Sequence, residues 1–197
     1  MPIHRTRIRH AGEHALPQRG TLSRVNAHAE AQLRVIRLVD GTLGSRRLRW
    51  WLFGGWALDA LLGDVTRDHG DIEFWVERKD ADAVLDALVG VGAMPTETQP
   101  IEESREYTID DVMFSSAYFD RGSDDTYYRL EGRWSDWNFP VGSFGEDTGQ
   151  LADLTLPVMS ATGMLAMKQQ YPTLRNGKPL REKDVRDIEL LTRLVAQ

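Results

Sequence analysis

Val25, Ala29, Leu33 and Ile36 recur at spacings of four, four and three, which lines them along one stripe and predicts an amphipathic helix over residues 22–40. A short apolar run, Trp50-Trp51-Leu52-Phe53, stops at Gly54-Gly55, and residues 57–62, apolar except for Asp59, close on Gly63. This reads as strand, glycine turn and short helix. Beyond a polar loop over residues 64–70 the pattern changes to strict alternation. Asp71, Glu73 and Trp75 fall on one side and Ile72, Phe74 and Val76 on the other, so the strand has an apolar face and an acidic one.

A second amphipathic helix is expected over residues 80–91, with Val84, Leu85, Leu88 and Val91 inward and Gly92 near its end. Strands follow at 93–96, 105–109 and 112–120, the last two joined by a tight turn at Asp110-Asp111. From 120 to 153 the chain is rich in Gly, Ser, Asp and Trp, and only residues 126–130 suggest a strand. Ser160 suits the N-cap of a helix ending before Pro172, and Val185, Ile188, Leu191 and Leu194 mark a final helix. The order of elements predicts an α/β (α+β) fold, a small mixed sheet backed by helices. Residues 21–197 are read as a single domain whose 160–197 part is helical.

Composition narrows the class. A chain of 197 residues with 41% hydrophobic and 27% charged positions suits one domain with a sizeable core, without apolar runs long enough to span a bilayer. The net charge of -6 argues against DNA as a partner and fits an acidic cleft for a cationic small molecule. The absence of cysteine excludes disulfides and thiolate metal sites, and is compatible with a cytoplasmic setting. Residues 1–20, with Arg5, Arg7, Arg9 and Arg19 and no apolar signal core, are expected to form a mobile extension.

The chemistry concentrates at one place. Carboxylates at i and i+2 of a strand project from one face about 6 to 7 Å apart, so Asp71 and Glu73 can converge on one magnesium ion. Gly54-Gly55 lets the backbone approach a polyphosphate, and the helix after it turns N–H groups toward negative charge. Either half alone is weak, since a glycine pair often marks only a turn and Asp-x-Glu often only a solvated edge.

Together, a glycine pair, a short helix and an acid-faced strand resemble the DNA polymerase beta-like nucleotidyltransferase superfamily. The run from Gly54-Gly55-Trp56 through Asp59 to Gly63, then Arg67, His69, Asp71, Ile72 and Glu73, is similar to its antibiotic-modifying branch, the aminoglycoside 2''- and lincosamide nucleotidyltransferases. A weaker likeness recurs at residues 160–171 and at Arg181-Glu182-Lys183-Asp184. The resemblance implies that Asp71 and Glu73 hold Mg²⁺, that Gly54 and Gly55 shape the pocket of ATP or another NTP, and that Arg67 and His69 fix the loop or approach the phosphates. Lys168 and Lys183 are candidates for the triphosphate, against the usual role of helical lysines as surface charge. Asp59 either tethers the neighbouring loop or touches a ligand.

One departure stands out. Members of the superfamily generally carry a third carboxylate on a neighbouring strand, and here that position falls at Ser115, whose hydroxyl is far too weakly acidic to act as a base at neutral pH. Asp111 lies on the same strand face but roughly 13 Å away by strand rise, and Asp110 points the other way. Asp120, Asp124, Asp125 and Glu131 are further candidates, and a shifted strand register would bring back Asp110 or Asp111. Trp134 and Trp137 belong either to the core or to a wall for a sugar or base. The leading expectation is Mg-dependent transfer of a nucleoside monophosphate to a hydroxyl of a small molecule such as an aminoglycoside or lincosamide. A catalytically impaired nucleotide or partner binder, and a transferase acting on protein or tRNA, are the alternatives.

Overall fold

In the computed structural model, residues 26–96, 100–122 and 128–197 are described. Five strands form a sheet in the order β1 (Trp51–Phe53), β2 (Ile72–Glu77), β5 (Val112–Arg121), β4 (Ser104–Ile109) and β3 (Met94–Thr96), with β6 (Tyr128–Arg129) pairing on the far part of β5. Among the described strands of this sheet, only β2 and β5 run parallel. The sheet is therefore mixed, as the element order predicts.

Helix α1 (Ala27–Ser45) starts where the Asn26 side chain accepts from the Ala29 N–H, satisfying one of the free donors of the first turn. It runs five residues beyond the expected end at 40, through Gly41 and Gly44, because Val39 and the fully buried Leu43 continue its apolar stripe. Helix α3 (Ala81–Val89) packs on α1. Ile72, Phe74 and Val76 of β2 and Phe114 of β5 are buried at 1% exposure or less, and burial on the order of 2 kcal/mol each makes this face the core.

The tight turn between β4 and β5 forms at Asp110 and Asp111, with φ of 48° and 62°. Aspartate tolerates this left-handed region better than most residues, and two such residues in succession match the twist of a hairpin.

Three expectations are corrected. Helix α2 (Gly54–Leu62) begins at Gly54 rather than at residue 57, because the change of direction occurs within Gly54 itself, at φ +73°, and the glycine pair forms the first helical turn. Helix α4 (Ala161–Leu174), capped by Ser160, runs past Pro172 instead of ending before it. A proline this near the C-terminus costs a single internal hydrogen bond, and Arg175 N–H still reaches Tyr171 O at 2.9 Å. The poorly patterned middle contains an unanticipated hairpin, β7 (Thr148–Leu151) and β8 (Leu154–Pro157). Gly149 lies so close to Ala60 of α2 that a Cβ would come within 2.7 Å of its backbone, which explains glycine there. Helix α5 (Glu182–Val195) lies against α4. No described helix is long and apolar enough to cross a membrane.

The sheet face opposite the core is divided. Toward the C-terminal ends of β2 and β5, Trp75 and Phe119 are sealed by Phe139 and Phe144, with Phe119 and Phe144 stacked at 3.9 Å. Residues 128–146 thus cap half of this face and leave the half bearing Glu73 open.

Candidate active site

Asp71, Glu73 and Ser115 line one cavity of about 370 Å³, together with Phe53, Glu103, Glu106, Trp134, Trp137, Tyr171, Arg175 and Arg181. The parallel pairing of β2 and β5 sets Glu73 directly beside Ser115, so the strand register assumed from sequence holds. Asp110 and Asp111 sit at the exposed tip of the β4–β5 hairpin and do not line this cavity. Asp120 is drawn to Arg78 at 2.9 Å, and Glu131, at the cavity rim, to the same guanidinium at 3.5 Å. Asp124 and Asp125 lie outside the described residues.

Glu73 is pushed up to about 7, first by loss of water around its carboxyl and then by the neighbouring charge of Asp71, against the pull of Lys168, Lys183 and Arg181. Two carboxylates that resist joint ionisation form a site that a divalent cation would relieve. Among the described residues no cluster of three or more metal-ligating side chains occurs.

The glycine pair is explained by two separate contacts. A Cβ on Gly54 would meet Glu73 Oε2 at 2.5 Å, and one on Gly55 would collide with the His69 ring and with Arg67 Nη2 at 2.8 Å. Gly54 therefore gives the Glu73 carboxylate its space, and Gly55 gives the loop its space.

The loop is held from below. Asp59, 1% exposed, accepts from Thr66 Oγ1 at 2.6 Å and from the Thr66 N–H at 3.1 Å, and lies 2.6 Å from His69 Nε2. Arg67 Nη1 is 3.1 Å from His69 Nδ1. Because guanidinium can only donate, Nδ1 is the acceptor and Nε2–H donates to Asp59. Trp56 packs on the same imidazole at 4.4 Å between centroids. Asp59, Arg67 and His69 thus form a buried tether; none of them lines the cavity, and of the two roles open to Arg67 and His69 the geometry shows the fixing of the loop.

The tether continues into the C-terminal helices. Arg67 donates to Asp187 at 3.1 Å, and Lys168, 3% exposed, sits between Asp187 at 2.7 Å and Asp184 at 3.4 Å. Arg181 grips Asp184 through two hydrogen bonds of 2.6 and 2.9 Å. Burial alone would raise Asp184, but the Arg181 hydrogen bond and the Lys168 charge bring it down to about 2. Lys168 is committed to these carboxylates and is absent from the cavity lining, so its placement differs from that expected of a phosphate ligand. Lys183 is exposed on the first turn of α5, near enough for its charge to be felt at Glu73.

Sequence reasoning missed Arg175 and Arg181 as site residues; both line the cavity beside Tyr171, as does Arg133. The signal was present in Arg181-Glu182-Lys183-Asp184, where the first residue rather than the third faces the site. Trp134 and Trp137 turn out to be both things at once, half-buried against the core and lining the cavity. Five carboxylates (Asp71, Glu73, Glu103, Glu106 and Glu131) face three guanidiniums (Arg133, Arg175 and Arg181) along its walls.

Comparison with known proteins agrees with this geometry. Over 62 residues the chain is 40% identical to 2''-aminoglycoside nucleotidyltransferases of Escherichia coli and Klebsiella pneumoniae, a match covering 30% of this chain and 35% of theirs. The matched part thus spans about a third of the length of these curated relatives. In fold it resembles the crystal structure of ANT(2'')-Ia in complex with adenylyl-2''-tobramycin (TM-score 0.68, 20% identity, 84% of this chain and 90% of that one). It also resembles lincomycin-bound LnuA, a lincosamide antibiotic adenylyltransferase (TM-score 0.61, 20% identity, 83% and 95%). The family model described as aminoglycoside-2''-adenylyltransferase matches residues 35–191, most of the chain and all of the site, and the protein belongs to that family.

Proposed function

We propose that this protein transfers a nucleoside monophosphate from a magnesium-bound nucleoside triphosphate, ATP in the first instance, to a hydroxyl group of a cationic antibiotic of the aminoglycoside type, releasing pyrophosphate. The observation that carries this reading is the Asp71–Glu73 pair, set on an open sheet face in a cavity whose walls hold more carboxylates than guanidiniums. An amine-rich acceptor matches that charge; the uncharged sugars of other acceptors would gain nothing from it.

Within this reading Asp71 and Glu73 would hold the metal, whose contribution when bound is to neutralise charge on the phosphate oxygens. Arg181, with Lys183 behind it, draws the triphosphate toward the α5 end of the cavity, and the N-terminal amides of α2 add positive potential beside Glu73. Tyr171 and Trp134 supply apolar surface for a base or a sugar ring. The acceptor hydroxyl attacks the α-phosphorus in line, and most of the rate gain comes from positioning and electrostatic stabilisation. A cytoplasmic setting, which supplies ATP and free magnesium, fits this reaction.

The test is pyrophosphate release with each NTP and Mg²⁺ against a panel of aminoglycosides and lincosamides, with mass spectrometry of the acceptor. A gain of one nucleoside monophosphate on an aminoglycoside supports the proposal; modification of lincosamides alone, or of no acceptor, refutes it. Ser115 beside Glu73 favours one second reading, a nucleotide binder without turnover, which tight Mg-NTP binding with no product would reveal.

A further inference from the structure

The strand register draws one rung across the sheet. Phe53 of β1 pairs with Glu73 of β2, Glu73 with Ser115 of β5, Ser115 with Glu106 of β4, and Glu106 with Thr96 of β3. Directly paired residues project from the same face, and Glu73, Ser115 and Glu106 all line the cavity. Among the described residues, Glu106 is the carboxylate that shares the rung of Glu73 and Ser115.

We infer that Glu106 is the general base of the transfer reaction, reaching over Ser115 from the adjacent strand to take the proton of the acceptor hydroxyl. The inference rests on the function proposed above. As the acceptor oxygen bonds to the α-phosphorus and the bond to pyrophosphate breaks, the hydroxyl proton passes to the Glu106 carboxylate and then to solvent.

Neighbouring strands lie about 4.8 Å apart, so the Cα of Glu106 stands one strand spacing beyond that of Ser115. Glutamate is one methylene longer than aspartate, and the small Ser115 side chain leaves the space over the rung for it to lean across. Thr96 Oγ1 lies 3.5 Å from Glu106 Oε2 on the outer side, a contact at the long limit of a hydrogen bond and weak enough to release as the carboxylate leans inward. The other acids near the cavity lie off this rung: Glu103 precedes β4 and Glu131 follows β6, at the rim.

The experiment compares wild type, Glu106→Gln, and Glu106→Gln combined with Ser115→Asp, for pyrophosphate release and for Mg-ATP affinity by titration calorimetry. Loss of a positioned base costs 10²- to 10⁴-fold, so Glu106→Gln is expected to lower kcat at least about 100-fold with Mg-ATP affinity changed less than about threefold. Adding Ser115→Asp, which puts a carboxylate back on the same rung, is expected to recover at least about tenfold. Glu106→Gln within about threefold of wild type overturns the inference while leaving the transferase intact. So does a loss that Ser115→Asp does not relieve, which would mark Glu106 as a fold-supporting residue. A wild-type protein that transfers to no acceptor overturns the function itself, and the base with it.

Discussion

Glu73 Oε2 stands 2.5 Å from the point where a Cβ on residue 54 would be, so the carboxylate occupies space that only glycine leaves open. The same glycine has φ +73°, which a side chain would strain. Gly54→Ala is therefore expected to destabilise the fold by about 1–3 kcal/mol and to displace Glu73. Urea denaturation together with pyrophosphate release will check this: transfer should fall by more than the loss of folded protein explains. Activity in proportion to the folded fraction would show that the close approach is incidental.

The raised Glu73 carboxyl sets a trade between stability and chemistry. With the folded value at about 7, the folded state keeps a proton that the unfolded chain has released between about pH 4.5 and 7. The unfolded state then binds fewer protons, and stability falls as pH rises through that window. Glu73→Gln, always neutral, escapes this and is expected to be more stable than wild type above pH 7 by on the order of 2–3 kcal/mol, while transferring no nucleotide. The advantage should vanish near pH 4.5. Equal stability of the two proteins at pH 8 without metal would refute it.

Lys168 and Lys183 separate a buried cation from an exposed one. Removing Lys168 takes the buried cation from between Asp184 and Asp187 and leaves them to Arg181 and Arg67, so Lys168→Met is expected to cost about 3 kcal/mol. Lys183→Ala should leave stability within about 0.5 kcal/mol and raise the KM for the nucleotide several-fold. Thermal melts and initial-rate kinetics distinguish the two, and unchanged stability in Lys168→Met would return that lysine to the list of phosphate ligands.

Asp59 gathers Thr66 and His69 in a buried position. Asp59→Ala strips partners from these groups and is expected to cost about 2–4 kcal/mol, with transfer lost as the loop slackens. Hydrogen exchange at residues 64–70 should accelerate in this variant, and unaltered exchange would mean that the loop is held elsewhere.

Much of this was legible in the residues. The alternation of 71–77 and the glycine pair gave the acid-faced strand and its turn, because those patterns are local and carry fixed periods. The tight turn was legible for the same reason, since Asp110-Asp111 is a chemical signal for left-handed backbone. What escaped depends on partners far apart in the chain. The β7–β8 hairpin has a short, irregular pattern whose Gly149 makes sense only against Ala60. The commitment of Lys168 could not be seen without Asp187 facing it from α5. Glu106 carries no local signal, and only the register sets it beside Ser115.

The hydrogen bond from Arg67 to Asp187 joins residues 120 positions apart. On the ribosome, therefore, the loop that leads into Asp71 has its local hold on Asp59 but lacks its second anchor until the chain has grown 120 residues past Arg67, and a nascent protein lacking α5 would display the two acidic residues without that part of the frame. Premature termination anywhere ahead of Asp187 should accordingly yield no weakly working enzyme but an inert product, open to proteolysis at residues 64–70.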